Sequence, residues 1–194
     1  MPTPKTLSTT DSVAVLLAHG CEEVEALAVV DALYRAGIRA DLISLESEPH
    51  VVSSHGISIG ADLVLDEADL PSYTVLFLPG GMPGTLALKE DPRVRAEVLR
   101  RAEASQMIAA ICAAPSILAE LGVLDGRQAT ANPGFMDALR AGGALASSEC
   151  VVVDGTIVTS RGAGTALELG VELVRLLVGD EAARSVRESI VWQH

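Results

Sequence analysis

A mostly parallel, doubly wound α/β sheet sandwiched by helices, with a small β-hairpin, is the fold this sequence predicts. Apolar runs of strand length at residues 13–18, 74–78 and 107–111 alternate with longer stretches of helical period. Apolar residues make up 49% of the chain and aromatics only 3%, so the core material is Ala, Val, Leu and Ile, which fills parallel strands covered on both faces. Glycines and prolines stand at the junctions between these runs.

Taken in order, residues 13–18 read as a buried first strand that ends at His19-Gly20. Residues 22–36 read as a helix stopped by Gly37. Residues 39–45 make a second strand, and the Val51-Val52 and Ile57/Ile59 pairs a small hairpin. The strand at 74–78 runs into Pro79-Gly80-Gly81-Met82-Pro83-Gly84, read as a loop. Asp91-Pro92 caps and opens a helix to about residue 104. The strand at 107–111 meets Cys112, and a helix over 113–121 follows directly. A short strand at 128–131 and a helix at 135–140 come next. Strands at 150–153 and 156–159 flank Asp154-Gly155, a two-residue hairpin signal. Residues 161–165 form a Gly-rich turn, 166–178 a long helix and 181–189 a last one.

The Thr/Ser/Pro-rich residues 1–11 predict a frayed tail, neither a secretory signal nor a membrane anchor, ahead of one domain at 12–194. A formal net charge of −12 repels phosphate backbones and anionic lipid, so neither nucleic acid nor a membrane is expected as a partner. Three cysteines, an odd number, argue for free thiols in a reducing, cytoplasmic setting. From Ala26 to Tyr34 the first helix carries one polar residue, Asp31, and a helix apolar all round needs cover on both sides. The expected cover is a second copy, a homodimer through helix 22–36; the competing reading is a loop or the C-terminal segment.

In doubly wound sheets ligands bind at the carboxyl ends of the strands. Three candidate segments end there: His19 to Glu25, Pro79 to Gly84, and Cys112. A cysteine at a strand-to-helix junction matches a nucleophile elbow, and a helix N-terminus beside the sulfur would lower its pKa. The plain alternative is a small core residue. The Ala113 amide, with Gly80 and Gly81 after the neighbouring strand, supplies candidate oxyanion donors. Glu22 and Glu23 suit a helix first turn, whereas Glu25 lies inside an apolar helix, where a buried carboxyl stays protonated and can exchange a proton with the sulfur.

With these segments in view, the sequence resembles the ThiJ/PfpI superfamily, in particular its parkinsonism-associated deglycase branch, from about residue 13 to 191. The resemblance rests on Gly20-Cys21-Glu22-Glu23-Val24-Glu25, Leu78-Pro79-Gly80-Gly81, Ala110-Ile111-Cys112-Ala113-Ala114-Pro115 and Thr159-Ser160-Arg161-Gly162-Ala163-Gly164-Thr165. It implies a flavodoxin-like fold and a homodimer, with Cys112 as oxidisable nucleophile, Glu25 as protonated partner, and Gly81 and Ala113 as backbone donors. It implies a cofactor-free activity on methylglyoxal, glyoxal or their protein adducts, of glyoxalase or deglycase type. A redox sensor or stress chaperone built on the same thiol is the alternative.

The sequence departs from that pattern at three places. Asn132 stands where the branch carries a histidine, and an amide binds substrate but is no base near neutrality. Ala163 replaces a proline in the Gly-rich turn, next to Arg161, an auxiliary candidate. Cys21 replaces a non-cysteine near the expected mouth of the site; an inert packing role competes with one of resolving an oxidised Cys112. Cys150 reads as structural. His19 is a further acid–base candidate against a solvated-loop reading. His50, His55 and His194 fit no Cys-His-acid or metal pattern, so no metal is expected, and a late His-x-Glu of amidotransferases is absent.

Overall fold

The computed structural model describes residues 6–192. Its elements are β1 (Ser12–Leu17), α1 (Glu23–Arg35), β2 (Arg39–Ser44), β3 (His50–Val52), β4 (Ser58–Gly60), β5 (Leu63–Val64), β6 (Val75–Leu78), α2 (Gly84–Glu90), α3 (Pro92–Glu103) and β7 (Met107–Ile111). They continue with α4 (Pro115–Glu120), β8 (Gln128–Ala129), α5 (Met136–Ala141), β9 (Leu145–Ala146), β10 (Val151–Asp154), β11 (Ile157–Ser160), α6 (Ala166–Val178) and α7 (Asp180–Ser189). A seven-stranded sheet runs β10-β11-β7-β6-β1-β2-β5, parallel at every pairing except β10 with β11. The hairpin is β3–β4, and β8–β9 form a separate parallel pair.

Strand periodicity explains the unbroken apolar runs. Val13, Val15 and Leu17 of β1 face the layer of α1 and α6, together with Phe77 and Ile111. Ala14 and Leu16 face the other layer, with Leu78 and Ala110, against Val94, Val98, Ile117 and Leu118. Each strand must therefore be apolar on both sides. At the N-terminal edge of the sheet Arg101 is wholly buried. Its guanidinium donates to Glu97 Oε1 at 2.7 Å, to the carbonyls of Leu70 and Tyr73 at 2.8 Å and to those of Thr74 and Met107 at 3.2 Å. One side chain thus ties α3 to the entries of β6 and β7.

Several elements differ from expectation. Helix α2 starts inside the breaker-rich loop at Gly84, whose missing side chain lets the segment pack against the neighbouring loop: a Cβ there would be 2.6 Å from the Cys21 nitrogen. β5 and β9 have two residues each, too short for any period to register. Fraying was expected over residues 1–11. Residues 1–5 lie outside the described part, but Ser8 donates its N–H to the Gly37 carbonyl at 3.0 Å and Thr74 Oγ1 donates to Asp11 Oδ1 at 2.9 Å, so residues 8–11 are anchored.

Helix α1 is covered on one flank by α6, where Gly170 brings the two backbones together: a Cβ there would be 2.8 Å from Ala32 Cβ. The C-terminal segment thus covers this flank. The other flank is open, with Val24 47% and Leu27 38% exposed. Among the described residues no helix is long and apolar enough to cross a membrane.

Candidate active site

The carboxyl ends of β7, β6 and β11 meet the start of α1 at Cys112. Its φ is 64°, a left-handed conformation that costs a non-glycine residue about 1 kcal/mol or more. Backbone bonds hold it there. The Cys112 N–H donates to the carbonyl of Ser160, the last residue of β11, at 3.0 Å, and the Cys112 carbonyl accepts from the Asn132 N–H at 2.9 Å. The chain then makes a turn, with the Ala114 N–H on the Ile111 carbonyl at 3.0 Å, before α4 opens at Pro115. Cys112 is half-buried and its thiol is free.

Glu25 reaches this point from the first turn of α1 and is 1% exposed. Its Oε2 accepts from the Gly80 N–H at 2.9 Å, and the carboxyl also bonds the Cys112 side chain and the Ala163 N–H. The N–H groups of Ala113 and Gly81 are directed at the sulfur. The β6 loop must be glycine to permit this. A Cβ on Gly80 would stand 2.6 Å from Cys112 Cβ and 2.6 Å from Glu25 Oε2. Gly81 has φ +91°, and a Cβ there would strike the backbone of Cys21 and Glu22.

The electrostatics correct one expectation. Burial pushes the Cys112 thiol up to about 12, reinforced by the charge of Glu25 and the hydrogen bond to it; the Ala113 and Gly81 N–H groups pull the other way and lose. The helix expected to lower this pKa begins three residues later and has only six residues, so its N-terminus lies back from the sulfur. Burial likewise pushes Glu25 up to about 7, opposed by the hydrogen bonds from Cys112 and Gly80. The two groups oppose each other's ionisation, and the carboxyl is the stronger acid of the two. Above about 7 the carboxyl of Glu25 therefore carries the negative charge, and the Cys112 thiol keeps its proton and donates it in a hydrogen bond to that carboxylate.

The remaining candidates separate into those at the centre and those away from it. Gly80 was expected as an oxyanion donor, but its N–H is taken by Glu25, so it positions the carboxyl instead. Asn132 lies at the site with its Oδ1 held by the Gly134 N–H at 3.0 Å. His19 turns away: its Nδ1 accepts from the Val52 N–H at 2.9 Å, so it anchors the hairpin rather than facing Cys112. Cys21 is buried and desolvation pushes its thiol up to about 11, which leaves it packed under the loop rather than at a mouth. Arg161 donates Nη1 to the Ser148 carbonyl at 2.9 Å and fastens the β10 side. Cys150, expected to be structural, exposes its side chain; only its carbonyl is used, accepting from Ser160 Oγ at 2.8 Å.

Two residues were missed as site components, Gly162 and Ala163. Both act through the main chain, and the only available signal was their place in the Gly-rich turn after a sheet strand. Among the described residues one group has cation-binding donor types: Glu22, Glu23 and His55, with ligand atoms within 4.8 Å of one another. It is already an ion-paired cluster, with His55 Nδ1 2.9 Å from Glu23 Oε1, and it stands apart from the sulfur.

Comparison with known proteins matches residues 11–176 to the DJ-1/PfpI family model. The chain is 38% identical over 180 residues to the Parkinson disease protein 7 homolog of Danio rerio, covering 91% of this chain and 95% of that protein. It is 30% identical over 165 residues to glutathione-independent glyoxalase DJR-1.2 of Caenorhabditis elegans, covering 85% of this chain and 87% of that protein. The crystal structure of Drosophila melanogaster DJ-1beta superposes with a TM-score of 0.90 at 33% identity, covering 96% of this chain and 100% of that one. The chain spans less than half the length of its Arabidopsis thaliana relatives, 46% of Protein DJ-1 homolog A, to which it is 38% identical.

Proposed function

Because the chain belongs to the DJ-1/PfpI family, with its flavodoxin-like fold, we propose that it is a cofactor-independent thiol enzyme of the glyoxalase or deglycase type, acting on methylglyoxal, glyoxal or their adducts. One observation carries this reading: the Cys112 sulfur is hydrogen-bonded to the buried carboxyl of Glu25 and faces the N–H groups of Ala113 and Gly81.

The chemistry follows from that pair. The Glu25 carboxylate takes the Cys112 proton across their hydrogen bond, which leaves the charge on sulfur and the proton on Glu25. The sulfur attacks the aldehyde carbon C1, the carbonyl electrons move to oxygen, and oxygen takes the proton of Glu25, giving a hemithioacetal. The Glu25 carboxylate, now a base, removes the hydrogen on C1. The electron pair forms a C1–C2 double bond, and the C2 oxygen gains a proton. Return of a proton to C2 and loss of one from the C1 hydroxyl leaves a thioester. C1 is oxidised and C2 reduced by the same two electrons, so no external oxidant is needed. Water cleaves the thioester, releasing a 2-hydroxy acid and the thiol. Ala113 and Gly81 support the anion on sulfur and the developing oxyanion. The test is lactate formation from methylglyoxal by wild type and Cys112→Ser side by side.

A homodimer through the open flank of α1 and a cytoplasmic setting complete the proposal. Val24 and Leu27 present an apolar stripe that the described residues leave exposed, and the cysteine thiols are free. Sedimentation velocity is expected to give a dimer for wild type and a monomer for Leu27→Glu; a monomeric wild type ends the dimer reading.

A second reading, a redox sensor or chaperone, has the free half-buried Cys112 thiol behind it. Mass spectrometry after mild peroxide is expected to place the first added oxygen on Cys112. First oxidation at Cys21 or Cys150 would end that reading.

A further inference from the structure

The missing side chain at residue 162 keeps open the gap between the three polar groups of the site. A Cβ built on Gly162 would stand 3.7 Å from Glu25 Oε1, 3.8 Å from Asn132 Nδ2 and 4.0 Å from Cys112 Sγ. These are ordinary van der Waals contacts, so a single methyl group would fill the space between a proton carrier, an amide donor and the nucleophile. The backbone beneath has φ +159°, which a side chain would strain, and it is tied to Thr165. Gly162 donates its N–H to Thr165 Oγ1 at 3.1 Å, and its carbonyl accepts from the Thr165 N–H at 2.8 Å and from Oγ1 at 3.0 Å. Asn132 is fixed as well, through its N–H on the Cys112 carbonyl and its Oδ1 under the Gly134 N–H. Its Nδ2 has no hydrogen-bond partner in the described residues and is left as a donor beside the gap.

We infer that Gly162 and Asn132 are the specificity residues of this site: the group on the second carbon of a 2-oxoaldehyde packs against the bare Cα of Gly162, while its ketone oxygen accepts from Asn132 Nδ2. The inference rests on the thiol–aldehyde reading given above and names what that reading leaves open, the shape of the substrate. It selects compact 2-oxoaldehydes by the size of the second-carbon substituent. An asparagine holds the ketone without titrating, so this contact stays constant across the pH range in which the Cys112–Glu25 pair changes its charge.

The experiment compares glyoxal, which has hydrogen on the second carbon, with methylglyoxal, which has methyl. In Gly162→Ala the kcat/KM for methylglyoxal is expected to fall at least about 10-fold more than that for glyoxal, the discrimination one methyl-sized group typically supports. A ratio unchanged within about twofold overturns the inference while leaving the enzyme reading intact. If Gly162→Ala does not fold by thermal melting, Asn132→Gln replaces it, since it pushes the same amide one methylene further into the gap. If wild type turns over neither aldehyde, the enzyme reading falls, and the gap is read by alkylation of Cys112 instead. The variant is then expected to slow N-ethylmaleimide at least about 10-fold more than the smaller iodoacetamide. Equal slowing of the two reagents overturns the inference.

Discussion

Cys112→Ser is expected to form lactate from methylglyoxal at least about 1000-fold more slowly than wild type, with its fold unchanged by circular dichroism. The reason lies in the coupled pair. A thiol beside the Glu25 carboxylate can pass its proton across their hydrogen bond and become the nucleophile. A serine hydroxyl is a far weaker acid, so in the variant the single charge stays on the carboxyl and no nucleophile forms. The Ala113 and Gly81 N–H groups then face a neutral oxygen. The fold has little to lose, because the left-handed backbone at residue 112 is held by Ser160 and Asn132 through main-chain bonds that serine keeps. Turnover within about tenfold of wild type would remove sulfur from the mechanism.

Glu25→Gln is expected to slow the same reaction at least about 100-fold, the usual scale of a lost general acid–base group. It is also expected to change two pH dependences. In wild type kcat/KM rises with pH through about 7, as Glu25 loses its proton and becomes the base that takes the proton of Cys112. In the variant that step disappears, because glutamine can neither release nor accept the proton. The stability profile changes too. The buried carboxyl keeps its proton up to about 7 in the folded protein, against 4.5 for an unperturbed group. Between those values the folded state binds more protons than the unfolded one, so wild-type stability falls as pH rises from about 4.5 to about 7 and then levels. Melting temperatures of wild type and Glu25→Gln across that window are expected to diverge as pH rises, the variant lacking this slope. Parallel melting curves together with near-normal turnover would show that residue 25 has no part in proton transfer.

Much of the site was legible from side-chain type and position. Cys112 stood out because an apolar strand ran straight into it, and Glu25 because a carboxyl inside an apolar helix has to be buried or paired. Asn132 was legible only through the resemblance, as a replacement in a known pattern. Burial of Glu25 was legible, and its pKa is raised as that burial implies, but the direction of the Cys112 shift was not, because a helix N-terminus can be inferred from sequence whereas the burial that outweighs it cannot. His19 and Cys21 sat at the right chain positions but face the hairpin and the packed interior. Gly162 and Ala163 carried no reactive side chain to notice.

By itself the sequence determined the parallel sheet and its two covering layers, since apolar period and chain breakers are local properties that survive any detail of packing. It also determined which side chains could carry the chemistry. The tertiary structure alone decided which backbone groups meet them: the Gly80 N–H on Glu25 rather than on substrate, the left-handed turn at Cys112, and the open space over Gly162. Those contacts join residues far apart in the chain through main-chain atoms that every residue shares, so no residue type announces them. Their energies depend on burial, which exists only once the layers have closed.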